Sequence, residues 1–175
     1  MKVFVETPRL ILREIIPADT IHLFELDSDP KVHLFLGNNP IHTMGDASTS
    51  LNSIRNQYLE NGIGRWAIIE KETNTFIGWA GIKLNKNTIN NYSNYYDLGY
   101  RLLFKYWGKG FATEAAKATL IYGFSELKII QLFAIADIRN VASKNILLKT
   151  GFQLVETFDL EGTPHYWFKI DNSKH

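Results

Sequence analysis

The feature that most constrains the fold is a predicted strand that runs into a glycine turn and then into a long helix. Residues 95 to 104 (YYDLGYRLLF) are rich in aromatic and branched side chains, which favour a strand. Gly108 and Gly110 then allow the backbone to turn, and the following run ATEAAKATLIYGFSEL has apolar residues at helical spacing. The first N–H groups of a helix have no partner inside it, so such a turn can attract an anion.

Two nucleotide-binding motifs do not fit the sequence of this turn, WGKGFAT. A P-loop needs a longer spacer before its Gly-Lys-Ser/Thr, and the dinucleotide fingerprint needs a glycine where this chain has Thr113. Two interpretations remain open. The turn binds a phosphate, with a hydroxyl from Thr113 and a charge from Lys109, or it only connects a strand to a helix. Glu114 is interpreted as a favourable charge in the first helical turn.

The segments along the chain predict an α+β domain with helices packed on a largely antiparallel sheet of about seven strands. In a chain of 175 residues with 45% apolar side chains, we expect one domain over residues 1 to 175. Strands are predicted at residues 8–15, 64–71, 75–84, 95–104, 129–137, 152–159 and 164–170. Helices are predicted from Asp19, at 46–60, from Ala112, and between a cap at Asn140 and Gly151.

Composition excludes several classes of function. The 19 Lys and Arg residues balance 18 Asp and Glu residues, so we expect neither nucleic acid nor a membrane as a partner. The absence of cysteine excludes disulfides, thiolate zinc sites and a cysteine nucleophile, and we expect no metal. No apolar run has the length of a signal peptide core or a membrane span, so a cytoplasmic protein is expected.

The residues Trp107 to Ala112 (WGKGFA) resemble the Gln/Arg-x-x-Gly-x-Gly/Ala acetyl-CoA signature of the GNAT N-acetyltransferases. The Thr-Glu-Ala that follows resembles the sequence typical of one branch of this family, the Rim-like branch of ribosomal-protein N-terminal acetyltransferases. Trp107 departs from the signature, which usually has Gln or Arg there. Further segments resemble this branch in the same order, so that the resemblance covers residues 7 to about 168: TPRLILREI, FIGWAGI, DLGYRL and RNVASKNILLKTGF.

The resemblance implies a GNAT fold, with helices on both faces of the sheet and a splay between its fourth and fifth strands. It also implies acetyl-CoA as the cosubstrate. The pyrophosphate would lie on the amides of the turn, and the pantetheine arm would pair with the edge of the strand before it. The implied cofactor contacts are Leu102, Leu103, Phe104, Trp107, Gly108, Lys109, Gly110, Phe111, Ala112, Thr113, Asn140 and Ser143.

The implied reaction is transfer of the acetyl group to a primary amine, which needs a base because an alkylamine has a pKa of about 10. Asp97 lies where many family members carry an acidic residue, although a strand-end aspartate can also serve a neighbour. His165 is a second candidate, since histidine titrates near neutrality. The departing thiolate needs a donor. Many GNAT enzymes supply a tyrosine where this chain has Leu147, whereas the Rim-like branch has a serine, here Ser143.

The acceptor remains open between a protein N-terminus, an amino acid, a polyamine and an aminoglycoside. The resemblance implies that residues 28–63 and 158–165 shape its site. Acidic and histidine side chains in or next to these segments could attract a cationic amine: Asp27, Asp29, His33, His42, Asp46 and Glu60. Without a cysteine to carry the acetyl group, direct attack in a ternary complex is expected. A coenzyme A-binding sensor without turnover is the alternative, and both a monomer and a homodimer fit the sequence.

Overall fold

The computed structural model describes residues 1–173 and places its eight strands in a single sheet. The strands are β1 (Val3–Glu6), β2 (Leu10–Arg13), β3 (Arg65–Glu70), β4 (Thr75–Asn85), β5 (Tyr95–Leu102), β6 (Gln131–Asp137), β7 (Gln153–Leu160) and β8 (Thr163–Asp171). Their spatial order is β1-β2-β3-β4-β5-β6-β8-β7. Every neighbouring pair is antiparallel except β5 and β6, which run parallel. The predicted, largely antiparallel α+β architecture is confirmed.

Helices cover both faces of this sheet. They are α1 (Thr20–Ser28), α2 (Pro30–His33), α3 (Met44–Asn61), α4 (Phe111–Ser125) and α5 (Val141–Lys149), with short 3-10 turns at Pro17–Asp19 and Phe104–Tyr106. Among residues 1–173, no helix is long and apolar enough to cross a membrane.

The two layers of helices follow from the alternation of side chains along each strand. Trp66 and Ile68 of β3 pack in a buried cluster with Phe111 of α4. Ala67 and Ile69, the residues between and after them, pack in another cluster with side chains of α1 and α3. Helices α4 and α5 therefore cover one face, and α1 to α3 cover the other.

Two elements were not predicted, and some boundaries differ. Strand β1 adds an eighth strand at the sheet edge; it is short and contains a bulge, so its sequence shows little alternation. Helix α2 is a single turn inside a polar segment. Strand β5 ends at Leu102, because Phe104 already begins a 3-10 turn, and α4 begins at Phe111, one residue earlier than predicted.

Strands β5 and β6 share a single register pair, Asp97 with Phe133, whereas β4 and β5 pair along the whole length of β5. The two parallel strands therefore separate beyond Asp97, which is the splay that the family resemblance implies. At the closed end, aromatic rings fill the space on one face: Tyr92, Tyr95, Phe133, Phe158 and Trp167. Tyr92 belongs to the polar loop between β4 and β5, and its ring stacks 5.0 Å from that of Trp167.

Helix α3 begins with a reciprocal cap that should be measurable in the stability of the whole protein. The Thr43 hydroxyl accepts from the Asp46 N–H at 3.1 Å, and the Asp46 carboxylate accepts from the Thr43 N–H at 3.0 Å. We expect Thr43→Ala to lower the free energy of unfolding by about 1 kcal/mol in denaturant titrations, because a helical N–H loses its acceptor. Thr43→Ser keeps the hydroxyl and should retain most of that stability; equal losses in both variants would contradict this role of the cap.

Candidate active site

The glycine turn presents unpaired amides at the start of α4. Gly108 and Gly110 have φ angles of +72° and +80°, which glycine adopts more readily than other residues. The N–H of Glu114 donates the first helical bond, to the carbonyl of Gly110 at 3.0 Å. In the described part of the chain, no atom accepts from the N–H groups of residues 108 to 113. These N–H groups and the helix dipole suit an anion such as a pyrophosphate.

Arg9 and Glu114 fix this turn to the β1–β2 edge of the sheet. Arg9 donates from Nη1 to the carbonyl of Lys109 at 3.0 Å and from Nε to Glu114 at 2.6 Å. Thr7 donates its hydroxyl to the same carboxylate at 2.6 Å. Partial burial opposes ionisation of Glu114, but these hydrogen bonds outweigh it and lower the pKa of this carboxyl group. Glu114 thus holds the turn in place, a role that its sequence position did not indicate.

Trp107 anchors the other end of the turn. Its indole N–H donates to the carbonyl of Leu102 at 2.9 Å, and its backbone N–H donates to the carbonyl of Phe104 at 3.0 Å. The indole ring also lies 5.1 Å from the ring of Phe104. The unusual residue in the signature therefore closes the connection between β5 and the glycine turn.

The free edge of β5 lies slightly earlier than the sequence analysis places it. The N–H of Leu103 donates to the carbonyl of Ile77 on β4 at 2.9 Å, so this amide is not available to a ligand. Because the bonding direction alternates along a strand, Tyr100 and Leu102 direct their N–H groups toward the side where β6 has moved away. An added peptide-like arm would meet Tyr100 and Leu102 there rather than Leu103.

Ser143 meets a partner that sequence reasoning missed. Its hydroxyl lies 3.0 Å from the hydroxyl of Tyr100, while its backbone N–H donates to the Asn140 side chain at 3.0 Å. Burial raises the pKa of Tyr100 to about 12, which keeps the phenol protonated at neutral pH. Leu147, at the position where a tyrosine is common in GNAT enzymes, is only 1% exposed and belongs to the core. The phenol beside Ser143 thus comes from β5 instead of α5.

Asp97 lies on the opposite face of β5 from Tyr100. Its Oδ2 accepts from Arg65 Nη2 at 2.9 Å, and Arg65 Nη1 donates to the carbonyls of Gly81 and Asp97 at 2.7 and 3.0 Å. Gly99 leaves room for this guanidinium, since a Cβ there would lie 2.9 Å from it. Burial raises the pKa of Asp97, and Arg65 opposes that shift. No described residue donates a hydrogen bond to the second oxygen, Oδ1.

A cleft of about 380 Å³ lies on the Asp97 face, between α3 and the sheet. Trp79 lies 5.1 Å from the guanidinium carbons of both Arg65 and Arg101. The residues that line the cleft are Asp27, Thr49, Ser50, Ser53, Ile54, Gln57, Arg65, Trp79, Lys83 and Arg101. A larger groove between β1 and α4 has no residue in common with the predicted catalytic pair.

The acidic residues expected to attract an amine are engaged elsewhere. Asp27 accepts from Arg101 at 2.6 Å, and Glu60 lies 3.7 Å from Lys86. Asp29 caps α2 and Asp46 caps α3. Burial, helped by Arg101, lowers the pKa of His33, so this side chain is neutral at pH 7. Each of these four carboxylates thus already has a hydrogen-bond or ion-pair partner within the protein.

The structure thus brings Ser143 together with Tyr100, and Asp97 together with Arg65. It does not join Asp97 to Ser143, which lie on the two faces of the sheet. His165 lies on β8, opposite Asp137, and its Nδ1 is 2.9 Å from the carbonyl of Thr163. The alternation of side chains along residues 97–102 (DLGYRL) was the one sequence signal that could have placed Tyr100 and Asp97 on opposite faces of the sheet.

A family model for the acetyltransferase (GNAT) domain matches residues 9–153. An uncharacterized N-acetyltransferase of Bacillus subtilis, YoaA, is 30% identical over 164 residues, which is 91% of this chain and 90% of the relative. The ribosomal-protein-S5-alanine acetyltransferase of Vibrio fischeri shares the fold, with 18% identity, 98% coverage of both chains and a TM-score of 0.78. Spermidine N-acetyltransferase of Vibrio cholerae, solved with CoA and spermine, does so with 17% identity, 96% and 98% coverage and a TM-score of 0.76. The resemblance is confirmed: the chain belongs to the GNAT acetyltransferase family.

Proposed function

We propose that this acetyltransferase moves the acetyl group of acetyl-CoA to a primary amine by direct attack, with both substrates bound at once. The observation that carries the proposal is the opening between β5 and β6. Hydroxyl donors, Tyr100 and Ser143, lie on one face of the sheet beside it. Asp97 lies at its closed end on the other face, next to the cleft. Two substrates entering from opposite faces would meet at this opening.

The residues present fit coenzyme A. Bound acetyl-CoA would supply an acyl group activated by a good leaving group. The amides of residues 108 to 113 would hold its pyrophosphate, with Thr113 and Lys109 as further contacts and Asn140 near the start of α5. The amides of Tyr100 and Leu102 would pair with the pantetheine arm as an added strand does.

Tyr100 and Ser143 would stabilise the sulfur as the C–S bond breaks. The pKa of Tyr100, about 12, lies well above that of an ordinary thiol, about 8.5. The phenol would therefore donate a hydrogen bond to the thiolate without giving up its proton. Either hydroxyl can donate in the hydrogen bond between them, and the Tyr100 hydroxyl also donates to the backbone carbonyl of Ser143 at 3.2 Å.

Asp97 would accept the proton that the amine loses as its nitrogen forms the new bond to carbon. Its Oδ1 is the unpaired oxygen of a carboxylate that Arg65 holds by Oδ2. The raised pKa makes Asp97 a stronger base than an exposed aspartate. A coenzyme A sensor remains the second candidate, favoured by Leu147 at the usual tyrosine position.

Thiol release from acetyl-CoA in the presence of an amine panel separates these two functions. We expect release that depends on the amine. Tight coenzyme A binding without thiol release on any amine would favour the sensor.

Gly110→Val should weaken coenzyme A binding by tenfold or more in calorimetric titrations. Its φ of +80° disfavours a β-branched residue, and the new Cβ would crowd Arg9 at 3.3 Å. Gly162→Val is the matched control, because its φ of +81° imposes similar strain in the β7–β8 turn. Equal affinities in the two variants would remove the turn from the cofactor site.

Tyr100→Phe and Ser143→Ala should each lower kcat about tenfold or more, because the thiolate loses a donor. Affinity for coenzyme A should change little, since the interaction strengthens as the sulfur becomes negative. Tyr96→Phe is the control, as Tyr96 packs on the same face of the same strand. An unchanged kcat in both variants would leave the hydroxyl pair with a structural role only.

Asp97→Asn should abolish the acidic limb of the pH profile of kcat/KM. A base works only when ionised, so the rate rises as pH passes upward through its pKa. Since burial raises the pKa of Asp97, that limb should lie above the ordinary aspartate value of about 3.9. His165→Asn should retain the limb; its loss in that variant would assign the base to His165 instead.

A further inference from the structure

We infer that the amine acceptor is an amino acid whose carboxylate binds in the cleft beside Asp97. This inference rests on the proposed function, because it names the substrate class of the same site. It follows from the charges that line the cleft, from their unpaired donors and from the polar residues with which α3 lines the cleft.

Cations outnumber anions around the cleft. Arg65, Lys83 and Arg101 line it together with a single carboxylate, that of Asp27. Asp97 lies next to it and pairs with Arg65 at 2.9 Å. Three cations thus face two carboxylates, and each carboxylate is paired with an arginine.

The cations retain donors for a further anion. Arg101 donates to Asp27 from Nη1 alone, at 2.6 Å, and no described residue accepts from its Nε or Nη2. Lys83 is half-buried opposite Asp97 in the sheet and has no ion-pair partner within residues 1–173. A carboxylate can accept from two such donors at once, which strengthens and orients its binding.

Helix α3 packs on the sheet through an apolar stripe that includes Leu51 and Ile54, and the polar residues beside this stripe form one wall of the cleft. Thr49, Ser53 and Gln57 recur at intervals of four residues, so they lie on one face, and all three line the cleft. Ser50 and Ser53 have no hydrogen bond within the described residues, and the buried Oε1 of Gln57 has no donor. Their unpaired groups give this wall donors and acceptors for a polar ligand in the cleft.

The same charges disfavour a polyamine. A second ammonium group in this cleft would approach Lys83 and Arg101, and Asp27 already neutralises Arg101. His33 Nε2 lies 3.7 Å from Asp27 Oδ1, and because its pKa is lowered by burial the side chain is neutral and adds no charge to the cleft. An amino acid instead offers its carboxylate to the cations and its amine to Asp97, whose Oδ1 is unpaired.

The test compares each of the common amino acids with the amine that remains when its carboxylate is removed, such as lysine with cadaverine. We expect at least one amino acid to be acetylated with a kcat/KM tenfold or more above that of its decarboxylated partner. Equal rates for the two members of every pair, or a preference for spermidine, would overturn the inference. If no amine of any kind is acetylated, the proposed function fails instead. Acetylation confined to peptide N-termini would also overturn the choice of a free amino acid.

Variants locate the carboxylate. Lys83→Gln should raise KM for the preferred amino acid fivefold or more and leave KM for its decarboxylated partner unchanged. Arg101→Lys, which keeps a charge beside Asp27 and so protects folding, should have the same selective effect. Lys86→Gln is the control, because Lys86 lies outside the cleft. A KM for the amino acid that is unchanged in both cleft variants would overturn the inference.

Discussion

The site depends on a pair of strands that run parallel in an otherwise antiparallel sheet and touch at only one register position. Beyond the pair of Asp97 with Phe133, the edge of β5 that faces β6 has no neighbouring strand, whereas its other edge stays paired with β4. Unpaired backbone groups inside a protein are costly unless something else bonds them. The chain satisfies one of them itself, through the Trp107 indole on the carbonyl of Leu102. The rest of that edge is where a ligand with amide groups can replace the missing strand.

Side-chain alternation along β5 then divides the chemistry between the two faces. Tyr100 points to the face of α4 and α5, where it meets Ser143, and Asp97 points to the face of α1 and α3. A buried ion pair such as that of Asp97 and Arg65 contributes little net stability, because both groups lose hydration. Its use here is orientation: the pair fixes one carboxylate oxygen and leaves the other unpaired.

Local signals predicted much of the fold and part of the site. Asn140 and Gly151 mark the ends of α5 because helix caps depend on residues close in sequence, and the glycine turn is equally local. The contacts of Tyr100 with Ser143 and of Arg65 with Asp97 join residues 43 and 32 positions apart. No periodicity encodes such pairings. Strand β1 escaped prediction for another reason, since an exposed edge strand needs little hydrophobic alternation.

The aromatic rings at the closed end have a mechanical consequence. The two halves of the sheet are joined there by one backbone pair, by the rings of Tyr92, Phe133 and Trp167 on one face and by the cluster around Leu98 and Leu132 on the other. Because β5 and β6 diverge from this end, a small difference in the angle between them here gives a larger difference in their separation at the far end. The side chains packed at this closed end, distant from the glycine turn, therefore fix the angle at which β5 and β6 diverge.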